Sequence, residues 1–212
     1  MNMRIEKQHR QDSLRLLQLL YTQSFQKVHM HKIFLPIFGL INTLFASELC
    51  IFNEDGQLLQ LVANSTEITY MLEEIGVRFE QWSTDVKFES SATESDVLLA
   101  YKDDIFRLQQ EEGFQSVDVL RMLPDNPQKD TLRAKFLREH THNEPEIRFF
   151  VEGSGLFYLH VQDEIYRVQC EQGDLISVPA EAPHWFDMGT EPRFTAIRFF
   201  TRPDGWVAQY TE

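Results

Sequence analysis

Residues 140 to 148 read His-Thr-His-Asn-Glu-Pro-Glu-Ile-Arg, and a third histidine, His184, follows in Val178-Pro179-Ala180-Glu181-Ala182-Pro183-His184. Imidazoles and carboxylates are the donors that bind first-row divalent metals. His140, His142, Glu146 and His184 together supply three neutral nitrogens and one anionic oxygen. An octahedral ion held by four such ligands keeps two positions for substrate or oxygen. A lone His-x-His carries little information, and the chain contains a control in His29-Met30-His31, which lacks an acid four residues on and a distant third histidine. Read as a solvated pair, it contrasts with the later set, where Gly153, Gly173 and Pro179 frame the ligands.

Those side chains must be held by strands. After Glu139 the hydrophobic pattern switches from helical to alternating, and turn signals separate six short runs at 146–151, 156–161, 164–170, 174–178, 184–188 and 194–200. Short, evenly spaced strands of this kind form a jelly-roll-like barrel or sandwich. If 140–148 stays extended, alternate residues share a face, which would aim His140, His142, Glu146 and Arg148 into one interior with Phe150 below them. So many buried ionisable groups would cost several kcal/mol each without a counter-charge, and a divalent ion removes that cost.

Upstream, the run from Leu49 to Val62, broken at Glu54-Asp55-Gly56, predicts a hairpin. Thr66 is placed to cap a helix through Leu72 and Ile75, stopped by Gly76, and residues 77–82 predict a strand. Thr93, with Asp96 three positions on, opens a helix over 94–112 that Gly113 ends. Asn126-Pro127 starts another, carrying Leu132, Phe136 and Leu137. The fold class is therefore mainly β with peripheral helices.

Of 212 residues 42% are hydrophobic, enough for one substantial core. The net charge of -13 repels nucleic acid and anionic membranes, so the composition favours a small-molecule partner. The two cysteines, Cys50 and Cys170, lie far apart, as expected in a reducing, cytoplasmic compartment. Residues 1–46 read as an extension. Leu14, Leu17, Tyr21 and Phe25 form a helical stripe, and the apolar run 33–46 admits four readings: a signal-peptide core, a membrane-associated helix, a packed extension, or the product of an upstream start codon. Domain boundaries are set at 1–46 for this extension and 47–212 for the main domain, and a monomer is expected.

The motifs His-x-His-x3-Glu-x6-Gly (His140 to Gly153) and Gly-x5-Pro-x4-His (Gly173, Pro179, His184) resemble those of the cupin superfamily. More narrowly, the blocks 139–142, 146–155, 173–179 and 184–189, with 76–80 and Gly205-Trp206-Val207, are similar to the bacterial acireductone dioxygenase family over roughly residues 49–211. The resemblance implies a cupin double-stranded β-helix, a jelly-roll barrel. It also implies one Fe(2+) or one Ni(2+) per chain, held by His140, His142, Glu146 and His184. The implied reaction is cleavage of 1,2-dihydroxy-3-keto-5-methylthiopentene by O2 in methionine salvage: formate and 4-methylthio-2-oxobutanoate with iron, or formate, carbon monoxide and 3-methylthiopropanoate with nickel. It assigns Arg148 to the substrate dianion, Phe136, Phe186 and Trp206 to the pocket, and Glu139 to metal loading. Plain core packing of the aromatics, a solvent-facing Glu139 and an Arg148–Glu152 pair are the bland alternatives. His160 reads as a satisfied core or surface histidine rather than a fifth ligand, and Cys170 as a small core residue.

This chain departs from the family pattern twice. Pro145 stands where an acid is usual, which questions any conformational relay through it. Glu181 stands where glycine is usual, at a cost of about 1 kcal/mol if that position needs positive φ. Rival readings are another cupin metalloenzyme, a different dioxygenase or an isomerase, and a non-catalytic cupin sensor.

Overall fold

A computed structural model describes residues 46–89, 91–202 and 205–211. The stripe from Leu14 to Phe25, the His29/His31 pair and nearly all of the apolar run 33–46 lie outside them.

The chain opens with a hairpin, β1 (Glu48–Asn53) and β2 (Leu58–Val62), as the Glu54-Asp55-Gly56 turn predicts. Gly56 takes φ +78°, and Asn53 Oδ1 accepts from Gln57 N at 2.8 Å. Helix α1 (Ser65–Glu74) is capped by Asn64 rather than Thr66, its side chain accepting from Glu67 N at 3.0 Å. Gly76, at φ +77°, ends it and leads into β3 (Arg78–Gln81).

The single helix expected over 94–112 is two: α2 (Glu94–Ala100) and α3 (Lys102–Glu112). The Thr93–Asp96 capping box and the left-handed Gly113 hold as expected. The break falls at Tyr101 (φ -108°, ψ 19°), whose ring is buried against Phe149 at a centroid distance of 5.1 Å. Strand β4 (Ser116–Met122) follows, in a segment where the sequence predicts no element. The next helix, α4 (Lys129–Phe136), starts later than Asn126-Pro127 implies, because Asn126 Oδ1 accepts from Gln128 N and makes a turn ahead of it.

The six expected strands are present as β6 (Glu146–Gly153), β7 (Gly155–Val161), β8 (Glu164–Cys170), β9 (Asp174–Val178), β10 (His184–Asp187) and β11 (Phe194–Phe200). Two short strands add to them, β5 (His140–Thr141) and β12 (Gln209–Tyr210). They form a seven-stranded sheet, β12-β5-β10-β7-β8-β1-β2, and a five-stranded one, β3-β9-β6-β11-β4, with every pairing antiparallel.

Strand β6 shows how this frame serves the site. Glu146, Arg148 and Phe150 point between the sheets, where Phe150 joins Phe157, Phe186 and Phe194 in the central core. Ile147, Phe149 and Val151 point outward, under Val97 of α2, Ile105 and Leu108 of α3, and Tyr101 at the break between them. Apolar residues therefore cover both faces of the strand, which holds the inward polar pair in a fixed register. Each fully buried phenylalanine contributes about 1.5–3 kcal/mol to the stability of this frame. The frame is the mainly-β architecture the alternation predicts.

Candidate metal centre

The first motif is not one extended strand. His140 lies in β5 of the seven-stranded sheet, directly opposite His184 of β10, whereas Glu146 opens β6 of the other sheet. His142 occupies the crossing between them, and Pro145, which lacks an N–H, stands where the ladder is interrupted. The two sheets thus bring the four residues together by different routes from the simple alternation expected. One potential ligand atom from each of His140, His142, Glu146 and His184 lies within 4.8 Å of the others, and all four residues are buried.

Each imidazole is oriented from behind by a backbone carbonyl. His140 Nδ1 lies 2.7 Å from Arg138 O, His142 Nδ1 3.1 Å from Val207 O, and His184 Nδ1 2.8 Å from Ala182 O. A carbonyl only accepts, so each Nδ1 carries a proton, and each Nε2 is turned toward the cluster, where it can offer a lone pair to a metal ion. Glu146 Oε2 stands 2.9 Å from His142 Nε2 and 3.3 Å from His184 Nε2. In the His142–Glu146 contact a proton on Nε2 bridges nitrogen and carboxylate, and a divalent ion would take that proton's place among the converging donors. The donor set therefore fits a divalent ion. Burial and the Nε2 neighbours act oppositely on the acid: burial pushes Glu146 up, but Arg148's charge and both imidazoles hold it well below the usual carboxylate range. Burial pushes His140 down, whereas in His142 the hydrogen bond and charge of Glu146 outweigh burial and raise it.

Arg148 is 3% exposed and its Nη2 lies 2.8 Å from Glu146 Oε1, so its ion-pair partner is the candidate ligand rather than Glu152. Glu152 instead accepts from Thr195 Oγ1 and faces Arg121. Burial pushes the guanidinium down and Glu146 holds it up; arginine stays charged under such conditions. Its Nε and Nη1 are buried without a hydrogen-bond partner, as is Trp206 Nε1. Phe186, Phe157, Phe136 and Trp206 surround the guanidinium carbon at 4.4, 5.2, 5.7 and 5.7 Å from their ring centroids. The result is an apolar chamber with a fixed cation beside the ligand cluster.

A family model described as the ARD/ARD' family matches residues 48–208. The chain belongs to the ARD/ARD' family. An acireductone dioxygenase of Hydrogenobaculum sp. (strain Y04AAS1) is 51% identical over 165 residues, covering 78% of this chain and 90% of that protein. One from Klebsiella oxytoca is 56% identical over 148 residues, covering 70% and 82%. A solved acireductone dioxygenase from Bacillus anthracis, with a cadmium ion in its active centre, superposes with a TM-score of 0.71 at 29% identity, covering 79% of this chain and all of that one. The ARD/ARD' membership carries the cupin fold with it.

Against the ARD/ARD' pattern, the remaining residues fall as follows. Phe136 lies 6.2 Å from Phe186, and Trp206 lies 5.9 Å from His142, so all three expected pocket aromatics border the chamber. Glu139 is half-buried, and its carboxylate accepts from Thr211 Oγ1 and lies 2.9 Å from His160 Nδ1. His160 is thus satisfied, with Glu54 also 3.8 Å from its Nε2, and stays outside the four-residue cluster, as expected. Cys170 is fully buried in the core, as expected. Glu181 does adopt positive φ, +64°, and its N–H donates to His142 O at 2.8 Å, so the strained residue braces the crossing that holds a candidate ligand.

Two features were missed. Glu144, beside Pro145, is buried and accepts from the N–H (2.9 Å) and hydroxyl of Thr201, tying the crossing to the end of β11. The segment 206–211 folds over the site: Val207 O holds His142, β12 pairs with β5, and Tyr210 lies 5.9 Å from His140. Only Trp206 signalled it, because a two-residue strand has no periodicity to read.

Proposed function

We propose that this chain is an acireductone dioxygenase of methionine salvage, cleaving 1,2-dihydroxy-3-keto-5-methylthiopentene with O2. In this reading His140, His142, Glu146 and His184 hold one Fe(2+) or Ni(2+) per chain, through the three Nε2 atoms and the Glu146 carboxylate. A bound divalent ion supplies a site charge of about +1 after Glu146 is counted, and with it a place for an electron-rich enediolate and O2 to meet.

The protein's own groups do the rest. Arg148 offers Nε and Nη1 to an oxyanion of the substrate, with no hydrogen bond to give up first. Its charge favours the doubly ionised substrate, and the surrounding rings exclude water, which strengthens that attraction. Phe136, Phe186 and Trp206 accept the methylthio tail, since a polarisable thioether packs well against aromatic edges. Glu139, anchored to His160 and Thr211 at the rim, is assigned to metal loading, and Pro145 to stiffening the crossing that carries His142. Residues 47–212 form the catalytic cupin domain and 1–46 an extension, and the enzyme acts as a cytoplasmic monomer.

The observation that carries the reading is the convergence of three carbonyl-oriented Nε2 atoms and Glu146 beside a buried arginine with unused donors. Product analysis of protein reconstituted separately with iron and nickel tests it. Iron should give formate and 4-methylthio-2-oxobutanoate, and nickel carbon monoxide, formate and 3-methylthiopropanoate; oxygen uptake no faster than with the free metal would overturn it.

A further inference from the structure

Helix α4 carries Phe136 to the chamber but is poorly secured by itself. No residue in it is fully buried, no side chain caps its N-terminus, and Leu132 and Phe136 only partly enter the core. Isolated helices shorter than about 12–15 residues are marginal in water. What ties α4 down is a double hydrogen bond from Arg133, Nε to Asp187 Oδ1 at 2.8 Å and Nη2 to Oδ2 at 2.9 Å. Asp187 is buried, and its Oδ1 also accepts from Gly189 N at 2.8 Å, so the carboxylate is set before the arginine meets it. A second link, Lys129 to Glu191, sits at the surface, where such pairs contribute little. Arg133 and Phe136 are three residues apart, on adjoining positions of one helix face. Asp187 follows Phe186 and lies in the same strand as His184. The clamp therefore joins the helix bearing one wall of the chamber to the strand bearing the opposite wall and a candidate ligand.

We propose that Arg133 and Asp187 are positioning residues of this site: their bidentate pair holds α4 so that Phe136 closes the chamber against Phe186 and grips the substrate's alkylthio tail. The proposal rests on the function assigned above. Neither side chain touches the reacting atoms; both act through Phe136.

The test uses the full, metal-loaded chain, acireductone, and an analogue whose tail lacks the methylthio group. Arg133→Ala should raise KM for acireductone about tenfold, in the range of a lost apolar contact, and for the truncated analogue by less than about twofold. Its kcat and bound metal should stay within about twofold of the wild type. Combining Arg133→Ala with Phe136→Ala should be no worse than Phe136→Ala alone, because the two act as one unit. Arg133→Lys should recover part of the KM effect, and Asp187→Asn should reproduce the loss in a nearly isosteric background. Independently of activity, Asp187→Asn should speed amide exchange over residues 129–137 and leave β6 and β10 unchanged. An unaltered KM, additive losses, or exchange accelerated across the whole domain would overturn the clamp. Failure of the wild type to consume acireductone would overturn the function instead, and the exchange pattern would then decide the clamp alone.

Discussion

Replacing Arg148 by methionine separates its electrostatic role from its packing role. The guanidinium and Glu146 are both nearly inaccessible and lie 2.8 Å apart. Removing one partner of such a pair leaves an uncompensated buried charge, at about 3–5 kcal/mol. In the metal-free protein that cost falls on stability, and at roughly 2–4 °C per kcal/mol for a domain of this size it amounts to a fall in Tm of about 10 °C. With a divalent ion bound, the ion compensates Glu146 itself, so the loaded variant should lose only the packing part, about 1 kcal/mol. By linkage the difference must appear as tighter metal binding, since the variant's metal-free state is the more destabilised. Activity should move the other way. Losing the donors reserved for the substrate oxyanion should lower kcat by about 10²–10³ with metal content unchanged. Scanning calorimetry of both forms, metal titration and oxygen uptake measure the three quantities. Equal Tm losses with and without metal, or turnover within about threefold of the wild type, would refute the reasoning.

Two further predictions concern the frame. Glu181→Gly should relieve about 1 kcal/mol of left-handed strain, offset by the extra freedom glycine brings to the unfolded chain, for a net gain of about 0.5 kcal/mol in a urea titration. A destabilised variant would mean that the Glu181 side chain contributes more than the strain costs. Asp174 is fully buried beside Ser47 and Gln81, and burial pushes its carboxyl up from 3.8. A raised acid binds its proton more readily folded than unfolded, so its contribution is complete below pH 3.8 and is lost as pH rises through the folded value. Asp174→Asn should therefore flatten the fall in stability just above pH 3.8; an unchanged slope in pH-dependent urea titrations would assign that fall elsewhere.

How much of this was legible in the sequence depended on the range of the interactions involved. Strands β8, β9 and β11 were readable to the residue because alternation and flanking turns are local signals. The single helix expected over 94–112 failed for a tertiary reason: Tyr101 fits the helical period but breaks the helix to reach Phe149. Strand β4 escaped because both of its faces carry apolar residues, Val117 and Val119 on one and Leu120 and Met122 on the other, which blurs the alternation. At the site, the residue types at 140, 142, 146 and 184 were enough to name the cluster, but its route was misjudged. The short reach from His142 to Glu146 crosses between sheets, and extended periodicity cannot show a crossing. The carbonyls that orient the imidazoles, and the Arg133–Asp187 clamp, are backbone and long-range partners that leave no spacing to read. At Glu181 the glycine usual in the family pattern raised the question of a positive φ, and the backbone answers it with φ +64°.

The central claim is that His140, His142, Glu146 and His184 hold one metal ion on which the chemistry depends. Stripping the protein with a chelator and returning Fe(2+) or Ni(2+) in measured steps, while following O2 consumption with acireductone, tests it most directly. Activity should be absent in the stripped protein, rise linearly and stop at one ion per chain, and His142→Ala should neither retain the ion nor recover. Full turnover by the metal-free protein, or by His142→Ala, would contradict it.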